Sequence, residues 1–340
     1  MAQLTRTSRV LLTLATVVGI GLAVKTWVLP KFGNGNVANT EQTATNGQPD
    51  GNGNGNGNTS ESKVGATWTP QPFNYSPAEP INGTLKGVAE LGATGFNYFV
   101  VRIDGQKNWK LESSKFGVSL VKEGMATDQD IKDGLKTYIS EMAGLGVNPK
   151  NIHFVVSSGA MKEPGTINII RVLKVMKYYV NTVTPQQEAQ LAWQAAVPRE
   201  FRNNSFCVDI GSSNTKIAWS EGWGLPKAVE LPGAKYYQGD NPPSDALVYH
   251  ETADKSRLLG ENLRGRCFII GGVPFDLAKS HRQGKERYTT LKAPGDYSAD
   301  GAKQKSGLNI YKAVADATGC QQFVFDWDAN FTIGFLLGLK

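Results

Sequence analysis

The sequence predicts an α/β protein of two similar lobes facing a cleft, and three observations predict it. The segment Ser205-Phe-Cys-Val-Asp-Ile-Gly-Ser-Ser-Asn-Thr-Lys216 runs an apolar strand into Asp209-Ile-Gly211, a turn of small polar residues, and a second apolar run, Ile217–Trp219. Strand-like and helix-like periods alternate through both halves of the chain, the pattern of layered α/β architecture. Each half opens with strand–turn–strand and continues with helix–strand alternation, a weak internal duplication. At 340 residues the chain is long enough for one large or two small cores.

The N-terminal part precedes the lobes. Arg6 and Arg9 flank Val10–Val24, an uncharged apolar stretch that Trp27–Leu29 continues past Lys25. As one helix, Val10–Leu29 would be about 30 Å long, enough to cross a bilayer, so residues 1–32 are expected to be a single-pass membrane anchor. A cleaved signal peptide is the rival reading, but no small-x-small site follows the apolar core. The flanking charges favour the N-terminus inside and the globular part outside the cytoplasm. Residues 33–83 form a linker. Its Gly/Asn-rich part, with Gly51–Asn58 at the centre, has too few apolar residues to offset the entropy of ordering. Val64–Gly83, with four prolines, reads as extended chain laid onto the globular part.

The first lobe is expected over 84–202. It has a strand at Phe96–Ile103, a turn at Asp104-Gly105, strand structure over Trp109–Leu120 and a helix over Asp128–Leu145 with apolar residues at helical spacing. Then come a buried strand Ile152–Val156 and helices Ile167–Tyr179 and Pro185–Ala196, the last capped by Thr184 with proline at its first position. The second lobe, 203–340, has strands at Phe206–Ile210, Lys216–Ser220 and Ala228–Leu231, a helical stretch, and strand Arg266–Ile270 running into Gly271-Gly272. A helix from Pro274, helix Leu308–Thr318, strand Gln322–Phe325 and helix Thr332–Leu339 complete it.

Asp209-Ile-Gly211 places a carboxylate at a strand tip beside backbone N–H groups with almost no side-chain bulk in front. Such a loop can cradle phosphate oxygens while the carboxylate holds a metal ion or its waters. An ordinary hairpin with a Gly-Ser turn is the competing reading. Other features exclude more than they suggest. A net charge of +6 with 19% charged residues carries no dense basic run, so no nucleic-acid partner is expected. Cys207, Cys267 and Cys320 lack metal-ligand spacing and read as buried, inert thiols. His153, His250 and His281 are scattered and read as structural or surface residues, and Asp326, Asp328 and Asn330 form a polar turn before the last helix that reads as capping rather than a cleft contact. Arg282, Lys285 and Arg287 read as a solvated basic face.

Val208–Lys216 resembles the second phosphate loop of the exopolyphosphatase/guanosine pentaphosphate phosphohydrolase family, in the actin-like ATPase superfamily. Phe268–Ala278 is similar to that family's later Gly-Gly strand-to-helix turn. Val183–Leu191 resembles its helix carrying the catalytic glutamate. The resemblance runs from about Phe96 to the C-terminus. The chain after Lys216 is too short for two lobes, which makes this loop the opening of the second. The implied fold is two-lobed and actin-like, a duplicated ribonuclease H-like unit. The departures matter too. At the first hairpin the best match puts Ile103 where the family has aspartate, with Asp104 one place late and Gly105 after it. Gln187 and Glu188 stand where the family has two glutamates, and Lys216 replaces the loop's terminal glutamate. Lys162 is the nearest candidate for the family's arginine after Ile152–Ser158.

The resemblance implies a phosphoanhydride hydrolase. Asp209 and Asp104 would hold Mg2+. Gly211, Ser212, Ser213, Asn214, Thr215, Lys216, Gly105, Gly271 and Gly272 would grip phosphate, and Glu188 with Gln187 would direct the attacking water. The expected partners are a phosphate-bearing small molecule or polyphosphate and, through the anchor, a membrane, with homodimerisation left open. Two alternatives stand beside hydrolysis: a catalytically silent module that binds or senses a phosphate ligand, and an actin-like scaffold.

Overall fold

Two sheets with the same core strand order carry the chain. The computed structural model describes residues 70–92, 95–118, 127–222 and 224–339. The first sheet is built from β1 (Thr84–Leu91), β2 (Gly95–Ile103), β3 (Trp109–Val118), β4 (Ile152–Val156) and β5 (Val180–Thr182), in the order β3-β2-β1-β4-β5. The second holds β6 (Ser205–Ile210), β7 (Asn214–Trp219), β8 (Lys227–Pro232), β9 (Arg266–Gly271), β10 (Tyr288–Thr290) and β11 (Phe323–Asp326), in the order β10-β11-β9-β6-β7-β8. Reversed and without its edge strand β10, the second order repeats the first. In each sheet an antiparallel three-stranded meander is followed by strands added in parallel. This duplication matches the two-lobed α/β reading.

The helices are α1 (Asp128–Gly144), α2 (Pro164–Val175), α3 (Pro185–Ala196), α4 (Asp245–Ser256), α5 (Gly272–Lys279), α6 (Gly301–Thr318) and α7 (Phe331–Gly338). α3 follows β5 as α7 follows β11, and the two helices pack on each other between the sheets, α3 against β6–β8 and α7 against β1 and β2. The alanines of α3 and Ile333, Leu336 and Leu337 of α7 share one core with Val88, Phe99 and Val101 of the first sheet and Cys207, Ala218 and Phe268 of the second. Two outer cores complete the lobes. One lies under α1 and α2 (Leu135, Phe154, Leu173), the other under α4 to α6 (Phe206, Ile269, Tyr311).

Side-chain alternation along the strands fixes what faces the middle. In β6, Phe206, Val208 and Ile210 enter the outer core while Cys207 faces α3, which sets Asp209 on the α3 side as well. The same parity in β1 and β2 sets Glu90 and Asn97 on the inner face with Val88 and Phe99.

Several expected bounds move. α2 begins at Pro164, its first-turn proline, and ends before Lys177, which adopts φ 64°. α6 starts seven residues earlier than its apolar spacing indicates, because Gly301–Gly307 is polar or small yet continues the helix. A short strand, β10, pairs with β11 where none was expected.

Residues 70–83 before β1 run extended, as read. Phe73 packs edge-on against Phe201, Phe268 and Tyr288. Further along, Glu79 pairs with Lys110 at 3.0 Å, and the Ile81 N–H donates to Asp104. The segment therefore touches both sheets. Among the described residues no helix is long and apolar enough to cross a membrane, and Val10–Leu29 lies outside them.

The basic face expected at Arg282–Arg287 is not a solvated one at Arg287. Its guanidinium makes two parallel bonds of 3.1 Å to Asp326, which is 1% exposed, and stacks over Trp109 of the first sheet, 4.0 Å from the ring centre. Removing one partner of such a pair strands the other's charge. Asp326→Ala is expected to lower unfolding free energy by about 3 kcal/mol or more. Chemical denaturation followed by tryptophan fluorescence checks this. The three cysteines are buried and free, as expected, with the Cys207 and Cys267 thiols pushed up by burial.

Candidate functional site

The site is built where the tips of β6 and β7 meet the first turn of α3. Asp209 and Lys216 are directly opposed in the β6–β7 ladder, so their side chains leave the same face. Thr184 caps α3 through a capping box with Gln187, and this fixes the rotation of the first turn. The next residue, Glu188, is thereby turned inward and is only 3% exposed. The Lys216 ammonium sits between the two carboxylates, 2.6 Å from Glu188 Oε1 and 3.4 Å from Asp209 Oδ2, and is itself 3% exposed.

The loop after β4 closes the arrangement from the first lobe. The Ser158 N–H donates to Glu188 Oε2 at 2.8 Å. Asn214 donates to Ser158 Oγ at 3.1 Å and to Glu230 Oε1 at 2.7 Å. Each Glu188 oxygen thus accepts a bond, Oε1 from the ammonium and Oε2 from the loop. Burial works against the Lys216 charge, yet the carboxylates of Asp209 and Glu188 outweigh it and hold the amine protonated well above its ordinary range. Burial pushes the Asp209 carboxyl upward, and Lys216 pulls it back only in part.

The first lobe has a counterpart that sequence reading missed. Glu90 of β1 is directly opposed by Asn97 of β2, the same seven-residue step as Asp209 to Lys216. Asn97 donates to Glu90 Oε2 at 3.2 Å, and Asn330, the cap of α7, donates to the same oxygen at 3.1 Å. Desolvation, reinforced by the neighbouring charges of Glu188 and Asp209, pushes the Glu90 carboxyl up to about 7. The signal was present in the sequence: Glu90-Leu-Gly92 repeats the acid-x-Gly spacing of Asp209-Ile-Gly211.

The structure corrects the expected first hairpin. Asp104 and Gly105 lie in the β2–β3 turn, at the far end of β2 from the β1–β2 turn and Glu90. The Asp104 carboxylate accepts the N–H groups of Ile81, Gln106 and Asn108 and the Asn108 amide, which holds its pKa low despite desolvation. It is a turn-forming group with its acceptors in use, and Gly105 is exposed beside it. Gln187 also leaves the site, since its side chain accepts the Thr184 N–H as the return half of the capping box.

Within the second loop, Gly211 is required by crowding, because a Cβ there would meet Asn214 O at 2.6 Å. The carbonyls of Gly211 and Ser212 accept from Ala234 and Lys235, which anchors the loop. Ser212 is half-buried and Ser213 exposed at the rim. Asn214 and Lys216 are on the inner face, but Thr215 points into the outer core with Ile217, and its hydroxyl is buried without a partner. Gly271, at φ 108°, lies against the Ile210 backbone and serves the β9–α5 turn. Gly272 opens α5, with Lys303 Nζ near its Cα. Lys162, at the end of the loop after β4, is exposed and 3.9 Å from Glu230.

Similar solved structures share this architecture. A Ppx/GppA-family protein from Aquifex aeolicus superposes with a TM-score of 0.53 at 15% identity, covering 75% of this chain and 96% of that one. An exopolyphosphatase from Cytophaga hutchinsonii superposes with a TM-score of 0.53 at 14% identity, over 76% of this chain and 99% of that one. The chain has the exopolyphosphatase fold. No protein-family model and no curated protein sequence matches it.

In this exopolyphosphatase-like chain, a divalent ion at Asp209 does not fit. Lys216 fills the space between Asp209 and Glu188. A divalent ion 4 Å from that ammonium would meet a repulsion of roughly 8 kcal/mol at an effective dielectric of 20. Among the described residues, no group of three or more acidic, histidine or cysteine side chains is placed to hold a metal ion.

Proposed function

We propose that the strand tips of β6 and β7, with the loop after β4, hold a phosphate-bearing ligand without cleaving it. The observation that carries this reading is the commitment of Glu188. Taking a proton from water would neutralise the carboxylate that the buried Lys216 ammonium has as its counter-ion. Here one oxygen takes the Lys216 ammonium at 2.6 Å and the other takes the Ser158 N–H at 2.8 Å. Asp209 faces the same ammonium.

The groups suited to grip remain. An ammonium has three N–H donors, and Lys216 has two carboxylate partners in the site, which leaves one donor for a ligand oxygen. Ser212 and Ser213 present hydroxyls at the loop, and Lys162 adds an exposed positive charge at the rim. Lys216 offsets one of the two nearest negative charges. Glu90, with its carboxyl near neutrality, offsets part of a third. The Aquifex and Cytophaga proteins, one described as a Ppx/GppA-family member and one as an exopolyphosphatase, support the ligand class.

Calorimetric titration of the full chain with tripolyphosphate checks the binding half. Saturable heat is expected, with affinity reduced about tenfold in Lys162→Ala through loss of one charge-assisted contact. No heat with tripolyphosphate, ATP or inorganic phosphate would remove the reading.

A further inference from the structure

We infer that the Lys216 ammonium is the resident cation of the cleft, so that the phosphate ligand is taken up without a divalent metal. The ligand half rests on the binding function proposed above. The metal half stands on the geometry alone.

Three observations converge on it. Lys216 is opposed in register to the strand-tip acid Asp209, so its charge is delivered by the ladder itself rather than by a flexible loop. It is held by carboxylates from two separate elements, β6 and the first turn of α3, and is almost wholly buried. At the equivalent place in the first lobe the donors to Glu90 among the described residues are neutral amides, those of Asn97 and Asn330. Each lobe thus satisfies its own strand-tip acid with protein groups, one with an ammonium and one with two amides.

A fixed ammonium and a divalent ion differ in what they supply. Both offset the charge of an incoming oxyanion. A divalent ion also lowers the pKa of bound water and makes a nucleophile at neutral pH. An ammonium cannot do this, because it has no coordination position for water. The substitution keeps electrostatic attraction and gives up water activation, consistent with retention of a ligand rather than its turnover.

The test uses the full chain and Mn2+ alone, followed by its electron paramagnetic resonance signal. Wild-type protein is expected to leave Mn2+ free at micromolar concentrations. Lys216→Glu places a third carboxylate beside Asp209 and Glu188 and is expected to bind Mn2+ about 100-fold more tightly or better, as a change of two charge units at a carboxylate site implies. Lys216→Gln, nearer in size and uncharged, serves as the second variant should the glutamate destabilise the fold, and is expected to fall between the two. Micromolar Mn2+ binding by wild type that Asp209→Asn abolishes would overturn the inference. So would variants that fold and bind no better than wild type. In parallel, tripolyphosphate is titrated in excess EDTA and in Mg2+. Binding in EDTA is expected to be at least as tight as in Mg2+, which itself complexes tripolyphosphate, and binding seen only with Mg2+ overturns the inference while leaving the ligand class intact. Failure of tripolyphosphate in both buffers removes the ligand proposal, and the Mn2+ result still decides the identity of the cation.

Discussion

Lys216→Met should lower unfolding free energy by about 3–5 kcal/mol. Lys216 is 3% exposed and serves two carboxylates that pair with no other cation among the described residues. Methionine preserves the aliphatic stem and removes the charge, leaving Asp209 and Glu188 facing each other inside the protein. Two buried like charges cannot both stay ionised cheaply, so part of the loss should return as pH falls and one of them takes a proton. A double-mutant cycle with Glu188→Gln in urea denaturation measures the coupling. A loss below about 1 kcal/mol would mean that the pair behaves like an exposed one.

Glu90→Gln should act in the opposite direction. The folded protein holds the Glu90 carboxyl at about 7, against an ordinary 4.5. Below 4.5 folded and unfolded chains both carry the proton, and the raised pKa costs nothing. Between 4.5 and 7 the folded chain binds more protons, so stability falls as pH rises through that window. Above 7 the full cost of an ionised, desolvated carboxylate is present, on the order of 2–3 kcal/mol. Glutamine keeps an oxygen for the Asn97 and Asn330 donors and carries no charge. At pH 8 the variant should be more stable than wild type by about 2 kcal/mol, and its stability should vary less between pH 5 and 8. Thermal melts across that range check both statements. An unchanged slope would remove Glu90 from the pH dependence.

The second-lobe hairpin was legible in the sequence because an apolar strand, an acid-x-Gly step and a second strand stand together at Phe206–Trp219. Thr184-Pro185 marked the start of α3 for an equally local reason: cap and first-turn proline are both sequence signals. The first-lobe hairpin was not found. Asp104-Gly105 is a strong local turn signal between two strands, and it drew the first hairpin to the wrong end of β2. The true counterpart opens on glutamate, and its strand, Thr84–Leu91, mixes Lys86, Gly87 and Glu90 with apolar residues, so its period is weak. Only the β1–β2 register shows that Glu90 and Asn97 stand as Asp209 and Lys216 do. Thr215 was misplaced by reading a loop as uniformly open, whereas strand alternation turns every second side chain of β7 into the outer core. The pairing of Lys216 with Glu188 spans 28 residues and two elements, and no local pattern encodes it.

Release of inorganic phosphate from tripolyphosphate and ATP by the full chain, with Mg2+ present and over incubations long enough to detect one turnover, separates retention from hydrolysis. Glu188 held by Lys216 and Ser158 predicts no release above the protein-free blank, in the same preparation that binds tripolyphosphate calorimetrically. Sustained release that Glu188→Gln abolishes would contradict it, since it would mean that this carboxylate is free to work on water after all.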